Sequence, residues 1–182
     1  MKRRILHLVP TFQGGGAERQ IGYLSAGLVE LGWDVHVGHV GGGSNIERVR
    51  ASGAVLHRLP ASSYCDPRLL WRSAQLIRKL DPIAVQTWLP MMDVVGGMAA
   101  LVAGVPWIVS ERCDSDFGQG GPKIVLRRQI ARGAAAIVCN SGAGNAYWVK
   151  RAKGDRCSVI PNALPLDEIE SAPVAKRSAF DI

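Results

Sequence analysis

Apolar residues fall in short continuous runs of strand length along this chain, and most runs lead into a stretch with apolar positions at helical spacing. The first run, residues 5–9, feeds a loop holding Gly14, Gly15 and Gly16. Beyond it, Ile21, Leu24, Leu28 and Leu31 mark one face of a helix over 17–31, closed by Gly32 at the C′ position. The same alternation predicts strands at 34–40, 55–59, 83–88, 107–110, 136–139 and 157–160. Further helices are predicted at 46–52, 67–80, 91–103, 122–132 and 144–152. Asp66-Pro67 supplies a good N-cap and a helix-starting proline, while Pro60 and Pro161 stop the strands before them. The stretch 91–103 is apolar on nearly every side and is expected to be well buried.

Continuous apolar strands alternating with helices specify an α/β fold: a Rossmann-like, doubly wound, mostly parallel sheet of about seven strands with helices on both faces. Residues 1–162 are expected to form one domain. Residues 163–182 are rich in Pro, Ala and charge without a strong period, and read as a linker toward something further, so the chain is expected to be a fragment. Ligands of such sheets sit beyond the carboxyl ends of the strands. The candidate loops therefore follow the first, fourth, fifth and sixth strands.

Composition narrows the setting. The chain has 182 residues, 47% of them hydrophobic, with a mean hydropathy of +0.08. Its apolar stretches fall short of the ~20 residues a membrane span needs. The run after Lys2-Arg3-Arg4 is stopped by Pro10, too early for a signal peptide, so a cytoplasmic protein is expected. Cys65, Cys113, Cys139 and Cys157 form no C-x-x-C pair and have no zinc-like histidine spacing, so reduced thiols and no metal are expected. The net charge of +7 is scattered, with modest clusters at Lys2-Arg3-Arg4, Lys123 with Arg127 and Arg128, and Lys150-Arg151-Lys153. No interleaved aromatics or helix-turn-helix pattern accompany them, which argues against nucleic acid. Solvated helix faces explain these clusters, and attraction to anionic lipid at the inner face of a membrane is the sharper alternative.

The glycine loop carries the chemistry. Backbone N–H groups at such a turn approach an anion closely, and the helix that follows adds favourable partial charge, so a phosphorylated ligand is expected. A dinucleotide fingerprint is disfavoured: Gly14-x-Gly16-x-x-Arg19 puts arginine where the third glycine belongs, and His39-Val40-Gly41 stands where the acidic residue is expected. No P-loop sequence is present.

Five segments in order give a sharper likeness. They are Gly15-Gly16-Ala17-Glu18-Arg19, Leu31-Gly32-Trp33-Asp34-Val35, Asp81–Trp88, Leu101–Pro106 and Val159-Ile160-Pro161-Asn162-Ala163. With them the chain resembles the N-terminal half of glycosyltransferase family 4, retaining sugar-nucleotide-dependent enzymes of the two-domain GT-B architecture. The resemblance implies transfer of a hexose from a UDP- or GDP-sugar, with retention and no required metal or other cofactor. It implies a lipid-linked or polysaccharide acceptor of a bacterial envelope, and a donor-gripping C-terminal domain without which these residues are expected to be inactive.

By the same resemblance Gly15 and Gly16 approach the donor diphosphate, with Glu18 and Arg19 as loop-ordering candidates. Many relatives carry a histidine after the fourth strand; here Gln86-Thr87-Trp88 stands instead. Gln86 is able to hydrogen-bond a sugar and Trp88 to stack on one, with a core role for Trp88 left open. Glu111 and Arg112 are candidates for the acceptor site against a surface salt bridge, and Asn140 and Ser141 for sugar or phosphate against helix capping. Asp93 either faces the cleft or caps a helix. His7, His36, His39 and His57 fit strand patterns as hydrogen-bonded structural residues. An exposed apolar face around Trp88, Leu89, Met91 and Met92 is expected to mark an interface. The rival readings are an autonomous flavodoxin-like module binding a phosphate or nucleotide, a dehydrogenase, and a non-enzymatic interaction domain.

Overall fold

The computed structural model describes residues 3–63, 66–112, 121–152 and 154–171. Seven strands form one sheet: β1 (Arg4–Val9), β2 (Asp34–His39), β3 (Val55–Arg58), β4 (Ala84–Trp88), β5 (Trp107–Glu111), β6 (Ala136–Cys139) and β7 (Cys157–Val159). Their spatial order is β3-β2-β1-β4-β5-β6-β7, and every neighbouring pair is parallel. The helices are α1 (Gly16–Glu30), α2 (Ile46–Ala51), α3 (Pro67–Leu80), α4 (Leu89–Ala103), α5 (Pro122–Ala131), α6 (Gly142–Val149) and α7 (Leu166–Glu170). This is the doubly wound, Rossmann-like arrangement expected from the strand and helix patterns.

Alternation along β1 divides the core. Leu6 and Leu8 face one cluster with Leu69, Ile77, Met92, Val95, Val109 and Ile137, covered by α3 to α6. Ile5 and Val9 face a second cluster with Phe12, Ile21, Val37, Val49 and Trp88, beneath α1 and α2. Burial of both faces explains why the strands read as near-continuous apolar runs. Helix α4 lies close to the sheet: a Cβ on Gly97 would fall 2.4 Å from the Trp107 ring. Helix α3 starts where the sequence placed it, with the Asp66 carboxylate accepting the Arg68 N–H at 3.0 Å.

Two expectations are corrected. The apolar face around Trp88, Leu89, Met91 and Met92 is not an open patch, because Trp88 and Met92 are fully buried on opposite faces of the sheet. Arg127, grouped with solvated basic residues, is buried at 5% exposure. Within residues 163–182, read as a linker, α7 forms a short helix. Cys65 and Cys113 lie outside the described residues; Cys139 and Cys157 are free thiols, and burial pushes the Cys139 thiol up to about 12.

Candidate functional site at the sheet switch point

The chain leaves β1 toward β2 on one side, whereas β4, on the other side of β1, leads away toward β5. Loops after β1 and β4 therefore diverge and open a crevice at the carboxyl edge, where doubly wound sheets hold ligands. The β1 loop is fixed from below. Pro10 accepts the N–H groups of Val40 and Gly41, Phe12 N–H donates to Gly42, and Asn45 N–H donates to Phe12. Gly43 makes this lacing possible, since a Cβ there would lie 2.2 Å from the Phe12 carbonyl. Gly14 then turns the chain with φ +64°.

Gly15 is the N-cap of α1 and has no side chain to cap with, so the first N–H groups of the helix are left for an incoming acceptor. Nothing lies within 4 Å of the position a Cβ would take on Gly16. Glu18 folds back over Gly15, its Oε2 lying 2.2 Å from where a Gly15 Cβ would be, and it is nearly buried. Across the crevice, Leu89 follows β4 with φ 69°. Left-handed backbone at a branched residue costs about 1–2 kcal/mol, and such strain concentrates at ligand sites.

Trp88 and Arg112 meet at the ends of β4 and β5. The Arg112 guanidinium carbon sits 4.9 Å from the Trp88 ring centre, and Nη1 donates to Asn162 Oδ1 at 2.8 Å. Arg112 Nε is buried without a partner among the described residues, and burial lowers the pKa of the guanidinium. Both side chains line a cavity of about 310 Å³ with Gln20, Tyr23, Ile160 and Pro161. Beneath, Trp88 Nε1 donates to His7 Nδ1 at 3.4 Å. Burial lowers the His7 pKa to about 4, so the ring is neutral and its proton sits on Nε2.

On the opposite face the same strand ends carry a buried ionic network. Arg127 Nε donates to Asp93 Oδ2 at 2.7 Å and Nη1 to Glu111 Oε2 at 2.8 Å. Trp148 Nε1 also donates to Glu111 Oε2, at 2.7 Å, and its ring lies 5.1 Å from the guanidinium carbon. Thr87 donates to Asp93 Oδ1 at 2.5 Å and receives the Trp107 indole N–H at 2.8 Å. Burial opposes the Arg127 charge, but the Asp93 and Glu111 carboxylates outweigh it and hold the pKa above its ordinary value. Burial pushes the Asp93 carboxyl upward. The network ties β4, β5, α4, α5 and α6 together immediately before Arg112 enters the crevice.

The family model of Glycosyltransferase Family 4 matches residues 14–168. The chain belongs to glycosyltransferase family 4. Solved structures agree on the fold of this family 4 domain. HepE of Anabaena, in complex with UDP and glucose, superposes with TM-score 0.74 at 16% identity, over 91% of this chain and 46% of that one. A glycosyltransferase from Rickettsia africae gives 0.67 at 15%, covering 99% and 48%. Acinetobacter baumannii MurG gives 0.63 at 13%, covering 89% and 46%. The family 4 domain thus spans about half the length of these GT-B proteins. No curated protein matches it by sequence.

Within the family 4 domain the sequence-derived candidates separate. Gly15 and Gly16 start α1 after β1, whereas Trp88 and Arg112 line the 310 Å³ cavity beside Gln20 and Tyr23 of the same helix, a cavity whose lining does not include the two glycines. Gln86 is buried behind, its amide donating to Ser110 Oγ at 2.5 Å. Glu111 turns to the other face into the Arg127 network, a buried ion pair rather than a surface one. Ser141 caps α6, accepting the Gly144 N–H at 3.2 Å. Asn140 is half-buried, its backbone N–H bonded to the Glu111 carbonyl at 3.2 Å. Asp93 is fully buried in α4, neither facing the cleft nor capping a helix. Arg127 and Trp148 were missed. A lone carboxylate in the otherwise apolar stretch 91–103 was the available signal, because a buried charge requires a partner.

Proposed function

We propose that this domain forms the acceptor side of a retaining transferase. The enzyme moves a hexose from a UDP- or GDP-sugar to a polysaccharide or lipid-linked acceptor of a bacterial envelope, at the cytoplasmic face. Family membership supports the transfer chemistry, and UDP with glucose in HepE supports the donor class. The observation that carries the reading is the uncapped start of α1, open at Gly16 and set at the switch point. Its N–H groups face the donor diphosphate and offset charge as the leaving group departs; fixed donors of this kind contribute about 3–4 kcal/mol. Arg112, braced on Trp88, supplies a positive charge for the sugar or acceptor. The reaction needs no metal in this scheme. A second domain grips the nucleotide, so the 182-residue chain alone turns over no sugar nucleotide.

Calorimetric titration with UDP and GDP tests the phosphate site. The chain is expected to bind weakly, and Gly16→Val to abolish binding with an unchanged circular dichroism spectrum, since the new side chain projects into open space. Equal binding by Gly16→Val overturns the assignment. Turnover of UDP- or GDP-sugar by the chain alone overturns the division of labour between domains.

A further inference from the structure

The start of α1 already faces a carboxylate of the protein's own. Glu18 is the acidic residue of the first turn, two positions after Gly16 opens the helix. Its side chain turns back along the helix toward the N-cap. Oε2 lies 2.2 Å, Cδ 3.0 Å and Oε1 3.2 Å from the point that a Cβ on Gly15 would occupy. From that point a capping serine or aspartate would reach for the N–H groups of the second and third helical residues. Gly15 has no such side chain, and the Glu18 carboxylate stands in its place. A side chain at position 15 would have to push that carboxylate out.

This carboxylate is held loosely for a group so enclosed. Glu18 is only 6% exposed. Among the described residues its side chain makes no hydrogen bond and no ion pair. A nearly buried carboxylate without a donor is costly, and here only the partial positive charge of the helix start favours it. The surroundings leave room for something better fitted. Nothing lies within 4 Å of the points a Cβ would take on Gly14 or Gly16, and Gly16 and Arg19 are exposed. A diphosphate arriving here offers more acceptor oxygens to the same N–H groups, and it repels the carboxylate that stands over them.

We propose that Glu18 is an internal competitor of the donor diphosphate: its carboxylate fills the anion position over Gly15 in the empty protein and is displaced when a diphosphate binds. Glu18 thereby sets the affinity of the site and keeps it from holding stray anions. The side chain leaves by rotation about its own bonds, so the sheet and the β1 loop stay as they are. The proposal rests on the phosphate site of the preceding section. It differs in sign from a loop-ordering role, for which removal of Glu18 weakens binding; a competitor's removal strengthens it.

The test is calorimetric titration of the full 182-residue chain with inorganic pyrophosphate and with UDP, for the parent, Glu18→Gln and Glu18→Ala. Glu18→Gln keeps the shape of the side chain without its charge, and Glu18→Ala removes both. Each variant is expected to bind both ligands at least about fivefold more tightly than the parent, the lower end of the coupling between groups that exclude one another. The circular dichroism spectrum is expected to stay unchanged. In the parent, the side-chain carboxyl carbon signal of Glu18, assigned by its loss in Glu18→Gln, is expected to shift as pyrophosphate saturates the site. Parent-like or weaker affinity in either variant overturns the proposal while the phosphate site stands, and Glu18 then orders the loop. An unmoved Glu18 signal in the saturated parent does the same. Binding of neither ligand by any of the three proteins overturns the phosphate site itself, and the competitor with it.

Discussion

Arg127 and Asp93 meet at 2.7 Å inside the protein, one from α5 and the other from α4, with side-chain exposures of 6% and 0%. Glu111 shares the same guanidinium from the end of β5. One cation thus holds two buried carboxylates, and its removal strands both. Arg127→Met is expected to destabilise the fold by about 3–5 kcal/mol, because an uncompensated buried charge costs more than the pair contributes. Urea unfolding checks this. A combined Asp93→Leu, Glu111→Leu, Arg127→Met variant is expected to recover much of the loss.

His7 sets a pH window. Its pKa is about 4 in the folded protein against 6.5 in the unfolded chain, because burial penalises the imidazolium. Between those values the unfolded state binds the extra proton, so stability falls as pH drops from about 6.5 toward about 4. The full loss is on the order of 3 kcal/mol. Urea melts across this range are expected to show a shallower pH slope in His7→Gln than in the parent. Equal slopes would place the titration elsewhere.

Gly43 holds the β1 loop in place. Gly43→Ala would put a methyl 2.2 Å from the Phe12 backbone, which cannot step aside as a flexible side chain can. A loss of at least about 1–3 kcal/mol is expected, from overpacking against a fixed neighbour. Weaker UDP binding is expected with it, as the displaced loop moves Gly15 and Gly16. Unchanged melting and titration would show that the loop adapts.

Arg112 separates stability from recognition. Its contacts with the Trp88 ring and Asn162 are half-exposed, so Arg112→Met is expected to lower stability by less than about 1 kcal/mol. Nucleotide or sugar binding in the crevice is expected to fall at least tenfold. A large drop in melting temperature with unchanged binding would assign Arg112 a structural role instead.

The sheet was legible because each strand is a short apolar run closed by Gly or Pro, and because Asp66-Pro67 and Gly15-Gly16 sit where helices start. The turn at the glycine loop was legible for the same reason: a local sequence dictates its backbone geometry. Arg127 was not, since Arg127 and Arg128 look alike along a helix and only the position of α5 against α4 sends the first inward. Glu111 and Arg112 are adjacent in sequence and point to opposite faces, as alternation at a strand end requires. That alternation was readable; which face held a buried arginine was not, because Arg127 comes from α5 and its partners from α4, β5 and α6. Trp88 illustrates the same limit, buried between His7 and Arg112, which lie 81 and 24 residues away.

Gln20 on α1 grips the backbone of Ala163 from both sides, donating to its carbonyl at 2.9 Å and accepting its N–H at 2.8 Å across 143 positions. This bridge joins the helix that follows the glycine loop to the segment leaving β7, at the far edge of the sheet. A pull on the outgoing chain is therefore expected to reach α1 through Gln20, and a ligand at the start of α1 to stiffen the exit. The amide hydrogen of Ala163 therefore serves as a strain gauge: its exchange is expected to slow if nucleotide binds at the start of α1 and to quicken in Gln20→Ala, with no change in the sheet.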